Sequence, residues 1–250
     1  MNIQPPVENL RGDYSAMAPD WTVPQSLEDY SGEDQAVWRL LAKRQSTLAK
    51  KYACAEFLRG LETLGIGNTI PDFDAVNAKL GKLTGWRIVG VPGLIPDEVF
   101  YDHLAHRRFP VTVWIRKRSE LDYLVEPDLF HDFFGHVPLL TDPVFADYMQ
   151  EYGKRGVEAG PNVHLLARLY WYTVEFGLIR TKDGLKAYGA GILSSAAETR
   201  HALKDERVQR LPFEAMKVMR TPYEIDKLQH TYFVLDDFRQ LFEAARTRVT

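Results

Sequence analysis

The sequence predicts a single, mainly α-helical domain carrying a few short β-strands. Three observations predict it. Apolar residues recur at spacings near three and four, most clearly over residues 34–64. Strand-like segments are few and short, chiefly residues 86–91 and 110–115. No internal repeat, low-complexity tract or mid-chain linker divides the 250 residues, a length that suits one large domain or two small ones.

Residues 1–32 are rich in Pro, Gly, Asp and Ser and read as an extended N-terminal arm, packed on the body through Trp21. Residues 33–250 form the domain itself. Val37, Leu40, Leu41, Leu48, Tyr52, Ala55, Phe57, Leu58 and Leu61 line one long helix, which Gly65 and Gly67 stop. Pro71-Asp72 opens a shorter helix that ends between Gly81 and Gly85. Between the two strands, Pro96-Asp97-Glu98 begins a helix running to about His106. Asp142-Pro143 starts the next helix, and Pro161-Asn162 another that runs through Trp171 and Glu175. Thr181-Lys182-Asp183-Gly184 is a hairpin turn. Ser194 begins a further helix, and residues 235–248 form the last.

Composition narrows the function classes. Apolar residues make up 45% and charged residues 26%, ordinary values for a globular protein with a substantial core. A net charge of −3 offers no electrostatic footprint for nucleic acid. The basic runs Arg107-Arg108 and Arg116-Lys117-Arg118 are too short to change that. One cysteine, Cys54, permits neither an intramolecular disulfide nor a thiolate cluster, and in its helical apolar stretch it reads as a buried, inert thiol. No apolar run approaches the ~20 residues of a membrane span, and the N-terminus lacks the basic start and apolar stretch of a secretory signal. A cytoplasmic location is the expectation.

The most informative segment runs from Glu126 to Pro138. It places His131 and His136 five apart inside an apolar stretch. Apolar neighbours favour the neutral imidazole, the form that binds metal. Core histidines satisfied by backbone groups are the alternative. On a continuous α-helix five residues turn about 500°, leaving the rings about 140° apart. A helix carrying both toward one ion must therefore end or distort between them, and Gly135 and Pro138 allow it. The spacing also differs from that of H-E-x-x-H zinc proteases. A third ligand is available in Glu175, a carboxylate inside the aromatic run Tyr170 to Gly177. A salt bridge to Arg168 or Arg180 is its alternative explanation. Two histidines and one carboxylate make a facial triad, which leaves the opposite face of an iron(II) ion open.

Three blocks carry a resemblance. They are His131-Asp132 with Gly135-His136-Val137-Pro138, the run Tyr170-Trp171 to Gly177, and Tyr188-Gly189-Ala190-Gly191-Ile192-Leu193-Ser194-Ser195. In this order and spacing they resemble the pterin-dependent aromatic amino acid hydroxylases, over about residue 21 to the C-terminus. The length is nearest the bacterial phenylalanine hydroxylases. The resemblance implies that residues 33–250 are a catalytic domain using Fe(II) and a tetrahydropterin. L-phenylalanine, dioxygen and tetrahydropterin would give L-tyrosine and a 4a-hydroxypterin, in a monomeric enzyme.

Residue by residue, the resemblance implies that His131, His136 and Glu175 hold iron. Arg116 would take the substrate carboxylate in a bidentate fork, with Asp128 orienting it. Pro127, Trp171, Ser194 and Ser195 would line the amino acid site, Ser194 also bonding a liganding histidine. Gly93, Leu94, Ile95 and Phe100 would hold the pterin, Phe100 by stacking. Asp132 and Tyr170 would lie beside pterin and iron as catalytic residues, Asp132 also contacting the cofactor, and Glu198 is a further matching acid. Leu124-Val125 departs from the Thr-Pro pair of animal enzymes, which puts substrate contacts in that loop in doubt. His230 departs as well and reads as peripheral rather than as a fourth ligand. Ile225, where tyrosine hydroxylases carry an aspartate, favours phenylalanine together with Trp171. The alternatives are hydroxylation of tryptophan or at another ring position, a helical protein that binds metal or metabolite without catalysis, and zinc-assisted hydrolysis.

Overall fold

A computed structural model describes residues 10–122, 124–225 and 227–246. The first helix, α1 (Gly32–Tyr52), starts at a reciprocal cap: Ser31 accepts from the Asp34 N–H, and Asp34 accepts from the Ser31 N–H. It is followed by α2 (Ala55–Leu64) and α3 (Phe73–Leu83). Strand β1 (Arg87–Val91) then leads through α4 (Asp97–Ala105) to β2 (Arg108–Thr112), which pairs parallel to it with Arg87 opposite Arg108. A parallel pair needs such a crossover.

A π-helical turn, Phe130–His136, is followed by a 3₁₀ turn, α5 (Pro143–Glu158) and α6 (Val163–Tyr170). A second π-helical turn, Trp171–Glu175, extends α6. Strands β3 (Leu178–Thr181) and β4 (Gly184–Ala187) form the expected hairpin. Helices α7 (Ala190–Leu193) and α8 (Ala196–Lys204) follow, then β5 (Gln209–Pro212), α9 (Ala215–Arg220), β6 (Thr231–Leu235) and α10 (Arg239–Arg246). The second sheet has the order β4-β3-β6-β5, with β6 parallel to both neighbours.

Several sequence expectations change in detail. The single helix over 34–64 is broken at Ala53-Cys54, where the Cys54 N–H donates to Ala187 and Ala53 bridges to β4. Apolar spacing near three and four continues on both sides of that break and does not mark it. The second strand lies at Arg108–Thr112 rather than 110–115. The chain leaves the sheet at Trp114, whose carbonyl accepts from Leu129. Ser194 ends α7, and it is Ser195 that caps α8, accepting from the Glu198 N–H. Leu235 closes strand β6, so the last helix begins only at Arg239. Its expected end at Arg248, like residues 1–9 of the arm, lies outside the described residues. Strand β5 and helix α9 carry a weak local pattern, whereas β6 is a β-branched and aromatic run, Thr231–Leu235, that sequence reasoning missed.

From residue 10 the arm runs along the body. The Val23 N–H donates to Gly90, Tyr30 Oη to the Val113 carbonyl, and Tyr14 Oη to the Leu94 carbonyl. Trp21 meets Tyr14 edge to face, 6.1 Å between ring centres. In the core, Phe130 and Phe133 meet Trp38 of α1, and Phe134 meets Phe57 of α2, at centroid distances of 5.4, 6.0 and 5.8 Å. These buried rings clamp the hidden face of the first π-turn and so aim its other face.

Candidate functional site

A π-turn closes its hydrogen bonds five residues apart, so residues i and i+5 stack as i and i+4 do in an α-turn. That is the distortion the His131–His136 spacing requires. The structure widens the helix instead of ending it at Gly135. Gly135 serves a different purpose: a Cβ there would lie 2.9 Å from Ala190 Cβ and 3.1 Å from its carbonyl oxygen, so α7 packs directly on the turn. The two imidazole Nε2 atoms come within 3.3 Å of each other. Glu175, from the second π-turn, faces both, with Oε1 3.1 Å from His136 Nε2 and Oε2 3.5 Å from His131 Nε2. The salt bridges first considered for Glu175 do not form. Arg180 pairs with Asp236, and Arg168 donates to the Met219 carbonyl.

Burial dominates the electrostatics here. It lowers the pKa of His131, which favours the neutral, ligating form. Burial pushes Glu175 up, but the His136 and His131 imidazoles outweigh it and leave the carboxyl below its usual range. Ser194 Oγ lies 2.9 Å from His131 Nδ1. With Nε2 turned to the cluster, Nδ1 carries the proton and donates to that hydroxyl. Asp132 has a carboxylate oxygen within 4.8 Å of ligand atoms of both histidines. Its Oδ2 accepts from the Thr112 N–H at 2.8 Å, and burial raises its pKa.

The donor set fits a divalent ion. Atoms about 2.1 Å from an ion on one octahedral face stand about 3 Å apart, close to the observed 3.1–3.5 Å. Two imidazoles and one carboxylate suit iron(II), and the residues present leave one face free.

That face looks onto a cavity of about 430 Å³, lined among others by His131, Glu175, Arg116, Pro127, Trp171, Ser194 and Ser195. Arg116 is only 7% exposed and Asp128 fully buried. Arg116 Nε and Nη2 donate to the two oxygens of Asp128 at 2.9 and 2.7 Å, a bidentate pair. The same carboxylate accepts from the Arg116 and His131 backbone N–H groups. Asp128 thus ties the guanidinium to the metal-side turn. Trp171 is held between Phe176 and Tyr223, with centroids 4.7 and 4.4 Å away. Leu124 and Ile225 also line the cavity, whereas His230 is exposed and away from the histidine pair.

Gly93, Leu94, Ile95 and Phe100 are not among the residues lining that cavity. They stand at the entry to α4. Phe100, half-buried, meets Tyr170 edge to face at 5.6 Å, and Tyr170 in turn lies face to face with His136 at 6.2 Å. Gly93 has φ +154°, and a Cβ there would lie 2.8 Å from Tyr14 Oη and 3.6 Å from Trp114 Nε1, so its backbone is packed against those two side chains. The half-buried Phe100 ring is the feature of this segment that suits a flat heterocycle. Burial pushes the Tyr170 hydroxyl well above its usual pKa. Tyr223 and Phe176 escaped sequence reasoning as site residues. Tyr223 is 52 positions from the ring it stacks on, and no local pattern marks such a contact.

A sequence model of the biopterin-dependent aromatic amino acid hydroxylases matches residues 9–249. The chain is 56% identical over 230 residues to the phenylalanine-4-hydroxylase of Chromobacterium violaceum, covering 91% of this chain and 77% of that protein. It is 54% identical to the phenylalanine-4-hydroxylase of Mesorhizobium japonicum, covering 96% and 88%. Among solved structures, the Chromobacterium violaceum phenylalanine hydroxylase with bound iron and phenylalanine superposes with a TM-score of 0.88 at 54% identity, covering 92% of this chain and 85% of that one. The same enzyme with iron(III) and 7,8-dihydrobiopterin gives 0.90 at 56% identity, again covering 92% and 85%. With its two π-turns, its facial cluster and these relatives, the chain belongs to the biopterin-dependent aromatic amino acid hydroxylases.

Proposed function

We propose that this protein is an iron- and tetrahydropterin-dependent phenylalanine 4-monooxygenase, converting L-phenylalanine to L-tyrosine with dioxygen. The single observation that carries the assignment is the convergence of His131, His136 and Glu175 beside a cavity that holds the buried Arg116 fork. When bound, iron(II) and the tetrahydropterin supply the reductive activation of dioxygen.

The chain's own residues supply binding and order. Arg116 takes the amino acid carboxylate, and Asp128 keeps the guanidinium in place for it. Trp171 and Pro127 wall the ring, with Ser195 at the same cavity. Ser194 fixes the His131 ring so that Nε2 faces the iron. Phe100 and the Gly93, Leu94 and Ile95 backbone hold the pterin. Asp132 and Tyr170 would lie beside the bound pterin and iron; with Oδ2 bonded to Thr112, Asp132 Oδ1 is the atom able to hold a proton there. We further assign the enzyme to the reducing cytoplasm, which suits both Fe(II) and the free thiol of Cys54, and to a monomeric state.

The test is direct. Protein loaded with Fe(II) receives L-phenylalanine, a tetrahydropterin and oxygen, and the products are separated. Tyrosine is expected, and only with pterin present. Its absence, or its formation without pterin, overturns the assignment.

A further inference from the structure

Buried Gln229 uses both ends of its side chain and its backbone. Its Oε1 accepts from Trp171 Nε1 at 2.9 Å. Its Nε2 donates to the carbonyls of Glu224 and Lys227, each at 2.8 Å. Its backbone N–H donates to Glu198 Oε1 at 3.4 Å, the same oxygen that accepts the Tyr232 hydroxyl. The two carbonyls that this amide gathers, of Glu224 and Lys227, flank Ile225, which lines the amino acid cavity, as does Glu198. One amide therefore couples the fixed aromatic wall of the cavity to the segment that covers it.

From this we infer that Gln229 is a specificity-determining positioning residue. By locking the Trp171 indole and the covering segment at a fixed separation, it limits the cavity to amino acids with a single aromatic ring. It disfavours bicyclic ones such as L-tryptophan. The inference rests on the function proposed above. Its physical basis is the cost of leaving buried donors and acceptors unpaired. A wider cavity would break the Trp171 bond or one of the carbonyl bonds.

The test uses Gln229→Leu, which keeps the bulk and removes every side-chain bond, and Gln229→Glu, which keeps the acceptor for Trp171 and removes both donors. Steady-state kinetics with L-phenylalanine and L-tryptophan are measured on iron-loaded enzyme. L-phenylalanine binding to the same protein is followed by calorimetry. For Gln229→Leu the KM for phenylalanine is expected to rise about tenfold with kcat changed less than threefold. The ratio of kcat/KM for tryptophan to that for phenylalanine is expected to rise at least fivefold. Gln229→Glu, whose carboxylate oxygen would meet the Glu224 and Lys227 carbonyls acceptor to acceptor, should raise the ratio at least as far as Gln229→Leu. Adding Trp171→Phe to Gln229→Leu should change the ratio less than the single substitutions combined, because the two act through one contact. A wild-type ratio in both Gln229 variants overturns the role. So does a loss confined to kcat that is equal for both substrates, which marks a merely structural residue. Should wild-type protein itself make no tyrosine, the functional assignment fails, a result distinct from either.

Discussion

Arg116 and Asp128 show how one buried pair constrains a site. Both partners are hidden from water, and the carboxylate also accepts two backbone N–H groups. Arg116→Ala would leave Asp128 charged and unpaired, at a cost of about 3–5 kcal/mol in stability. Arg116→Lys is the sharper probe, since it keeps the charge and loses the fork. Its KM for phenylalanine should rise about 10–100-fold, with a smaller change in kcat. Equal KM values for variant and wild type would reduce Arg116 to a structural cation. His131→Ala should abolish iron retention, read by metal analysis, while circular dichroism stays native. Cys54 offers a pH test. Burial pushes its thiol from the ordinary 9.0 up to about 12. The folded state then holds a proton that the unfolded state releases, so this contribution is intact below pH 9. It is lost at about 1.4 kcal/mol per pH unit as pH rises toward 12. Denaturation curves of wild type and Cys54→Ala should converge over that window. Parallel curves would refute a buried neutral thiol.

At the scale of elements, the two π-turns carry the proposed metal ligands, and each has a phenylalanine-rich or aromatic back face that holds it. The widening aligns residues five apart on one face, and the packing of α7 against Gly135 brings Ser194 to His131. Gly135→Val should push α7 away and weaken the Ser194 contact. Iron affinity is expected to fall about 10–100-fold, as for loss of a ligand's supporting bond, and metal titration measures it. The arm gives a second case. A Cβ on Gly12 would sit 1.6 Å from the Pro92 carbonyl oxygen, next to Gly93 in the segment proposed to hold the pterin. Gly12→Ala should therefore detach this part of the arm or shift residues 92–95. About 1–3 kcal/mol of stability should go with it, along with faster hydrogen exchange over those residues. Unchanged exchange would place the arm apart from the pterin segment.

For the molecule as a whole, folding brings two imidazoles and a carboxylate together inside a desolvated site, so the metal and the fold are linked. Ligand at about 100 times its Kd adds about 2.7 kcal/mol, which in a protein of this size corresponds to about 5–10 °C in Tm. Chelation should lower the melting temperature by that order, and Fe(II) should restore it. A melting curve indifferent to Fe(II) would argue against a site preformed in the native state. Light scattering of the iron-loaded protein checks the monomeric state.

By itself the sequence determined the helical class, the candidate metal ligands and the order of the chemistry-bearing blocks. Those features are written locally, in apolar periodicity, in two histidines five apart and in a carboxylate among aromatics. The spacing even required a distorted helix, although not its kind: a π-turn rather than a break at Gly135 is chosen by the packing of Phe130, Phe133 and Phe134 on α1 and α2. Tertiary structure alone decided the interruption at Cys54, the pairing of β5 with β6, and the contacts of Tyr223 and Gln229 with Trp171. Each depends on a partner tens of residues away, and a window of local periodicity holds no information about which distant carbonyl or ring will be there when the core closes.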